Sequence, residues 1–292
     1  MSVISSFRTT LEMIKFEHTV FALPFTLLSA FLASGGWPSA HKLLWILVAM
    51  VGARSAAMAF NRIADHRLDA ENPRTRMRAL PTGQVSLSFA SGFTLLSSLV
   101  FVLAARRLNP LCFSLSAPVL MILFAYSYTK RFTHFSHLVL GLCLGLAPIG
   151  AWIAIRGDIH LTPLLLGLVV LLWTAGFDII YACQDVDFDR HRHLFSIPNR
   201  FGIRRALKIS SSLHAVMLLL LLLLVLLENL GWISLAGVGL VTYLLWYEHH
   251  LVRPEDLSKV NQAFFTVNGY ISILLFLAVG LDKILHQLVH RG

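Results

Sequence analysis

Residues 213–227 read LHAVMLLLLLLLVLL, an uninterrupted run without a charged side chain. A helix that crosses a bilayer needs roughly 20 predominantly apolar residues, so this run indicates a transmembrane segment. Over the 292 residues, 57% belong to the set AVILMFWYC and only 13% are charged, whereas ordinary globular proteins carry about 25% charged residues. The polar residues are too few to cover a water-facing surface of this size, so most of the chain is predicted to face lipid.

Further apolar segments extend this prediction to an all-α, polytopic membrane protein. They are interrupted by short polar stretches, and no low-complexity segment or change of composition divides the chain. We therefore expect a single domain over residues 1–292, without a cleaved signal peptide. An eight-span arrangement, in which two weak neighbours merge, is the alternative. The nine predicted spans are 17–37, 42–63, 85–106, 110–129, 136–156, 162–184, 207–228, 231–249 and 264–286.

The distribution of lysine and arginine predicts the orientation. If the N-terminus is cytoplasmic, 17 of the 24 basic residues fall in segments on the inside and six on the outside, with Arg54 inside a span. Since cytoplasmic loops carry an excess of these residues, the bias favours a cytoplasmic N-terminus in an inner membrane. The formal net charge of +9 is thereby explained without a nucleic-acid partner.

Seven of the 15 acidic residues are concentrated in two stretches. The first includes Asn61, Asp65 and Asp69, spaced four apart, and the second includes Asp185 and Asp189 with the same spacing. Four-residue steps drift by only about 40° around a helix, so each set is predicted to share one face. The two hydrophilic stretches that contain them, 61–84 and 185–206, follow spans two and six and are therefore predicted on the same, cytoplasmic side.

Carboxylates that share a helix face repel each other unless a positive charge lies between them. Arginine partners at an interfacial helix end are one explanation. The other is Mg²⁺, which prefers oxygen ligands and typically joins one or two carboxylates to the phosphates of a substrate. Cations suited to phosphate occur nearby, and two acidic stretches on one side favour a metal–diphosphate site. These cations are Arg74, Arg76, Arg78, Lys130 and Arg131.

The segments NRIADHRLDAENPRTRMRALPTG and DIIYACQDVDFD resemble the two aspartate-rich motifs of UbiA-superfamily intramembrane aromatic prenyltransferases. YSYTKRFTH at 126–134 is similar to the loop between those motifs. The opening KFEHTVFALPF and the run MVGARSAAMAFNR look most like family members of quinone synthesis: the 4-hydroxybenzoate polyprenyltransferases and their relatives in the futalosine route to menaquinone. Glu17 and His18 depart from the ubiquinone-type pattern, which leaves the acceptor open.

The resemblance implies a nine-span helical bundle around a central cavity and Mg²⁺-dependent transfer of a polyprenyl group to a ring carbon of an aromatic acid. Asn61, Asp65, Asp69, Asp185 and Asp189 match the family's ligands of two Mg²⁺ ions. Arg74 and Lys130 match its diphosphate contacts, which we extend to the neighbouring Arg78 and Arg131. Asp178 and Tyr126 match positions near the reacting centre, and Arg54 matches the arginine that holds the carboxylate of the acceptor.

The residues themselves leave alternatives beside these roles. Arg54 lies within a span, where an ionised group is usually functional or paired, and it is predicted either to bind a carboxylate or to pair with Glu17 or Asp178. Asp178 is a candidate proton acceptor, stabiliser of ring charge or packing partner of Arg54. Tyr126 and Tyr181 either face an allyl cation or belong to an interfacial aromatic belt.

The remaining motifs predict no further chemistry. The three cysteines are expected to form neither a disulfide framework nor a metal site. The adjacent pair His249-His250 is interpreted as interfacial or solvated, and the glycines at 141, 145, 231, 237 and 239 as helix-packing contacts. An ion-coupled transporter is the rival function, but its acidic residues should lie near the middle of the bilayer. A scaffold protein would leave both acidic stretches unexplained.

Overall fold

The computed structural model describes residues 9–10, 12–14 and 19–291, with the side chains of residues 21–285 in the last range. Glu17 and His18 lie outside the described residues. A 3₁₀ turn, Cys183–Asp185, joins the sixth and seventh helices, and a π-helix, Gln262–Val267, precedes the last one. The helices are α1 (Thr19–Ser34), α2 (Ala40–Glu71), α3 (Leu87–Leu108), α4 (Pro110–Thr129), α5 (Ser136–Arg156), α6 (Leu161–Ala182), α7 (Val186–His191), α8 (Ile197–Phe201), α9 (Ile203–Leu227), α10 (Trp232–Leu251) and α11 (Asn268–Arg291).

Among the described residues, seven helical segments are long and apolar enough to cross a membrane. This confirms a helical, multi-pass membrane protein but not the predicted count of nine spans. Helix α1 falls short of that length, since its apolar part covers Phe21–Ser34. Helix α10 does not qualify, and it ends in the polar triplet Glu248-His249-His250.

Both predicted hydrophilic stretches contain more helix than expected. Helix α2 continues without a break to Glu71, so the first aspartate set lies on the helix that carries the second span. The second stretch folds into the short helices α7 and α8. The spacing of the acidic residues, rather than their hydropathy, indicated this helical structure.

The helix ends follow from local sequence. Ser39 caps α2 and Ser86 caps α3, each through a hydroxyl that accepts from a backbone N–H of the first turn. Helix α5 ends at Gly157, whose φ of +76° suits a residue without a side chain, and the N–H of Gly157 donates to the carbonyl of Ile153.

The chain forms two compact units, each described here by itself. The first comprises Met1–Thr19 and Ser39–Tyr128, and the second comprises Val20–Pro38 and Thr129–Gly292. In the first unit, α2 packs closely on α3 at Gly52, where an added Cβ would lie 2.9 Å from the backbone nitrogen of Phe101. Helix α4 packs on α2 through the stacked rings of Phe60 and Phe124.

The second unit has a core rich in aromatic side chains. Phe21, Phe25, Trp173, Phe177 and Phe264 are buried together between α1, α6 and the π-helix. This core positions the end of α6, from which the second aspartate set begins.

Helix packing by glycine is confirmed at three of the five predicted positions. An added Cβ at Gly145 would lie 2.5 Å from the carbonyl oxygen of Gly167, and one at Gly141 would meet the carbonyl of Leu171. These contacts join α5 to α6. Gly237 faces Ala278 across α10 and α11, whereas Gly239 has open space around it. Gly231 instead meets the carboxylate of Asp282 at the start of α10.

A polar network is buried inside the second unit. The indole N–H of Trp173 donates to Oδ1 of Asn268 (2.6 Å), and Nδ2 of Asn268 donates to Oε1 of the fully buried Glu248 (2.7 Å). Nδ1 of His214 and Nε2 of His249 are 3.0 Å apart. Of the two alternatives for His249, interfacial or solvated, the solvated one is wrong: His249 is partly buried on α10 and contacts a buried histidine of α9. His250, one residue on, is exposed.

Candidate active site

The first aspartate set lies on the last three turns of α2. Nδ2 of Asn61 donates to Oδ2 of Asp65 over 3.2 Å, so the four-residue spacing brings these two side chains into contact as predicted. Asp65 and Asp69 are almost fully buried, with exposed fractions of 4% and 6%. We call Asn61, Asp65 and Asp69 the first cluster.

Two arginines neutralise the first cluster. Nη1 of Arg78 lies 2.8 Å from each carboxylate oxygen of Asp69. Arg62 is buried beside the aspartates, and its Nε donates to the carbonyl of Met13 over 3.1 Å. The structure thus pairs Arg78, which is predicted as a diphosphate contact, with Asp69 of the first cluster. Arg62 lies close enough to Asp69 and Asp65 to interact with their charges, and the sequence did not single it out.

The turn after α2 explains how Arg78 reaches Asp69. The hydroxyl of Thr75 donates to the carbonyl of Asp69 (3.1 Å), and Oδ1 of Asn72 accepts from the backbone N–H of Arg74 (2.9 Å). These bonds fold the chain back over the helix end. The side chains of Arg74 and Arg76 remain exposed.

Helices α2 and α4 carry the other predicted residues of this unit. Tyr126 is partly buried, and its neighbour Ser127 lies within 3.5 Å of Nδ2 of Asn61. The end of α4 therefore lies beside the first cluster. Arg54 is partly buried on α2, two turns before Asn61.

The second aspartate set follows α6. The 3₁₀ turn ends at Asp185 and α7 carries Asp189, so the four-residue step spans a tightened turn instead of one regular helix. Asp189 is buried and hydrogen-bonds the hydroxyl of Ser196, and Asp185 and Lys130 both lie close enough to act on its charge. We call Asp185 and Asp189 the second cluster.

The segment after α4 is attached to the chain beyond the second cluster. The backbone N–H of Phe195 donates to the carbonyl of Lys130 over 2.7 Å, and the rings of His134 and Phe195 pack edge to face, with centroids 4.8 Å apart. This attachment holds Lys130 near Asp189. Arg131 is exposed.

Asp178 has a partner that the sequence did not reveal. Nδ1 of His137 lies 2.7 Å from Oδ2 of Asp178. His137 is almost completely buried at the start of α5, and the two residues are 41 positions apart. No spacing rule relates residues on different helices at that separation.

The donor chemistry of each cluster fits Mg²⁺. Each presents carboxylate oxygens in pairs, and Asn61 adds an amide oxygen. Over the described residues, no three or more histidine, cysteine or acidic side chains gather as a complete metal cage. Incomplete sets of this kind are typical of Mg²⁺, which keeps waters and completes its shell with substrate phosphates.

Comparison with known proteins identifies the fold and the family. The model of the UbiA prenyltransferase family matches residues 22–274. The chain belongs to the UbiA prenyltransferase family. The family predicted from the two aspartate motifs is confirmed, and with it a prenyltransferase enzyme.

Curated and solved relatives of this UbiA protein cover nearly its whole length. It is 31% identical over 254 residues to a 4-hydroxybenzoate octaprenyltransferase of Methylobacillus flagellatus, covering 87% of this chain and 85% of the relative. A protein of the same name from Vibrio vulnificus is 32% identical, with coverage of 87% and 89%. The apo structure of a UbiA homologue from Aeropyrum pernix K1 has a TM-score of 0.83 and 34% identity, with coverage of 91% and 98%.

A more distant structure shares the fold. The UbiA homologue of Archaeoglobus fulgidus bound to DMAPP and Mg²⁺ has a TM-score of 0.76 at 20% identity, covering 94% of this chain and 99% of that one.

Within each unit, the structure gathers the predicted side chains of this UbiA protein around one acidic cluster. The first unit contains the first cluster with Arg78 and, at the end of α4, Tyr126. The second contains the second cluster with Lys130, and Asp178 precedes it on α6. The roles of these residues remain predictions.

Proposed function

We propose that this protein transfers a polyprenyl group from a polyprenyl diphosphate to a ring carbon of an aromatic acid of the 4-hydroxybenzoate type, in ubiquinone or menaquinone biosynthesis. The observation that carries the proposal is the pair of carboxylate clusters, each with a basic side chain beside it, in a membrane protein of this family. Asp65, Asp69 and Asp189 are buried and Asp185 is partly buried. The curated relatives, named for octaprenyl transfer to 4-hydroxybenzoate, support the choice of substrates.

Mg²⁺ is the proposed cofactor, and Asn61, Asp65, Asp69, Asp185 and Asp189 are its proposed ligands. When bound, Mg²⁺ supplies Lewis-acid neutralisation of a leaving diphosphate. The protein contributes carboxylates that are buried at Asp65, Asp69 and Asp189, and the helical spacing that fixes their separation. The UbiA homologue of Archaeoglobus fulgidus with DMAPP and Mg²⁺ supports the pairing of this ion with a prenyl diphosphate.

Arg74, Arg78, Lys130 and Arg131 are proposed to bind the diphosphate. Lysine and arginine donate charge-assisted hydrogen bonds to phosphate oxygens, and the guanidinium group does so with two parallel donors. When Asp69 binds Mg²⁺, Arg78 would leave this carboxylate and bind a phosphate of the substrate instead. The carbonyl of Lys130 accepts from the backbone N–H of Phe195, and the charge of Lys130 acts on Asp189, which supports a role for Lys130 beside the second cluster.

Arg54, Asp178 and Tyr126 are proposed to act on the acceptor and the reacting centre. Arg54 binds the acceptor's carboxylate, and the ring of Tyr126 stabilises the developing allyl cation. The allylic C–O bond breaks with its electron pair going to the diphosphate, and the ring carbon forms the new C–C bond. That carbon then gives its proton to the released diphosphate or to water, which restores the aromatic ring. Asp178 accepts the phenolic proton or stabilises positive charge on the ring.

The protein is proposed to lie in the cytoplasmic membrane with its N-terminus and both clusters on the cytoplasmic side. The lysine and arginine bias supports this orientation. In a variant whose native cysteines are replaced, a cysteine at the exposed Met77 or His193 should react with an impermeant maleimide only from the cytoplasmic side. Reaction of either position only from the opposite side would contradict the orientation.

Product analysis tests the proposed reaction directly. Purified protein is incubated with Mg²⁺, an octaprenyl or shorter polyprenyl diphosphate, and a panel of aromatic acids that contains 4-hydroxybenzoate and a dihydroxynaphthoate. Mass spectrometry should detect one acid that has gained a prenyl group in exchange for a proton, and excess chelator should abolish the product. Absence of any prenylated acid in the presence of folded protein would overturn the proposal and favour the transporter.

A further inference from the structure

His137 and Asp178 form a hydrogen-bonded pair within the second unit. Nδ1 of His137 lies 2.7 Å from Oδ2 of Asp178, and the side chains are 3% and 19% exposed. A histidine that is nearly sealed from solvent is fixed in orientation by its hydrogen bonds. The carboxylate it contacts is partly exposed, as a group that meets a substrate must be.

The second ring nitrogen of His137 identifies the tautomer. The backbone N–H of Ile197 lies 3.4 Å from Nε2 of His137, and a backbone N–H can only donate. Nε2 therefore accepts with its lone pair, and the proton of the neutral ring resides on Nδ1. It follows that Nδ1–H donates to Asp178, whose carboxylate is the acceptor.

The same ring connects Asp178 to the second cluster. Ile197 is the first residue of α8, and Ser196, immediately before it, hydrogen-bonds Asp189. A single buried imidazole thus spans from the carboxylate on α6 to the chain that supports Asp189. The hydrogen bond occupies Oδ2 of Asp178 and leaves Oδ1 outside it.

We infer that His137 is a positioning residue for the prenyl transfer: its Nδ1–H holds the Asp178 carboxylate as a fixed acceptor, and its Nε2 ties that position to the Ser196–Ile197 segment beside the second cluster. The inference rests on the proposed function, because it gives Asp178 a role at the acceptor. His137 itself touches neither substrate nor metal and acts through Asp178.

Two amide substitutions test the two hydrogen bonds of His137 separately. In His137→Asn, the amide lies where Nδ1 lies and can still donate to Asp178. In His137→Gln, the amide reaches the position of Nε2 and can still accept from Ile197, but it loses the donor to Asp178. The two variants have similar polarity and differ mainly in which hydrogen bond survives.

We expect His137→Asn to retain a kcat close to that of the wild type and His137→Gln to lose about 10- to 100-fold, the range typical when an outer partner of a functional side chain is removed. The KM for the prenyl diphosphate should change little in either variant. The double variant Asp178→Asn/His137→Gln should have the same kcat as Asp178→Asn alone, since the two residues act as one unit.

The opposite order, with His137→Gln active and His137→Asn inactive, would make His137 only an anchor of the Ser196–Ile197 segment and overturn the inference. Equal activity of both variants and the wild type would overturn it as well. An inactive wild type would instead refute the proposed function.

A readout without turnover then decides the hydrogen bonding. Nitrogen NMR of histidine-labelled protein, assigned by difference with His137→Asn, should give a protonated Nδ1 and an unprotonated Nε2. The reverse assignment would overturn the inference.

Discussion

The observed partner of Arg78 in this UbiA protein differs from its proposed partner. Arg78 lies against the Asp69 carboxylate, whereas its predicted partner was a diphosphate. A guanidinium binds carboxylate and phosphate with the same planar pair of donors, so one arginine can serve both at different stages. The pairing also places a positive charge beside the two buried aspartates of the first cluster.

Arg78→Gln tests this double role. Loss of the guanidinium removes a competitor of Mg²⁺ for Asp69, so the Mg²⁺ concentration for half-maximal activity should fall. The KM for the prenyl diphosphate should rise by about 10-fold or more, since a hydrogen bond to a charged group contributes about 1.5–3 kcal/mol. Kinetics with Mg²⁺ and diphosphate varied independently measure both. A higher Mg²⁺ requirement with an unchanged KM would make Arg78 a structural partner of Asp69 alone.

Arg54→Ala should raise the KM for the aromatic acid by about 10- to 100-fold, because a two-pronged, charge-assisted hydrogen bond is lost. The KM for the prenyl diphosphate should remain near the wild-type value. Arg54→Lys serves as the matched control: it keeps the charge but not the planar fork, so its effect should be intermediate. Equal increases in both KM values would show that Arg54 stabilises the helix bundle instead.

At the scale of helices, close packing of α5 on α6 positions the residues of the second cluster. Gly145 lies against the carbonyl of Gly167, while Gly150, on the same helix, is exposed and has open space where a Cβ would lie. Helix α5, which carries His137 in its first turn, therefore packs on the helix that carries Asp178 through residues without side chains.

We predict that Gly145→Ala destabilises the protein by about 1–3 kcal/mol, since the added methyl group forces two backbones apart. Gly150→Ala should be neutral or stabilising, because alanine favours helix and meets no neighbour there. Thermal unfolding of the two variants in the same detergent makes the comparison. Equal melting temperatures would contradict the packing role of Gly145.

Helices and motif spacing were predictable from the sequence because both are local. The apolar runs located the helices, and the four-residue steps placed Asn61 beside Asp65. Pairings between distant residues were not predictable, because tertiary packing determines them. His137 with Asp178 is one example. His214 with His249 is another, and there the polarity of the His249-His250 pair favoured the wrong environment.

For the whole molecule, the predicted count of nine spans is the part of the fold that the described residues do not confirm. Helix α10 combines an apolar body with a polar end, and its Glu248 satisfies Asn268 in the interior instead of facing water. Hydropathy averaged over a window cannot separate a buried polar network from an interfacial end. The family assignment did not depend on the count, since it rested on two short motifs.

Our central claim is that both acidic clusters serve one Mg²⁺-dependent reaction. The most direct test is acceptor-dependent release of diphosphate by Asp65→Asn and Asp185→Asn, each purified in the same detergent. Glu71→Gln and Asp187→Asn, which change exposed acids beside the clusters, are the matched controls. We predict that each cluster variant loses at least about 100-fold in rate and that both controls remain active. If either cluster variant released diphosphate at the wild-type rate and with the wild-type dependence on Mg²⁺, the claim would be contradicted.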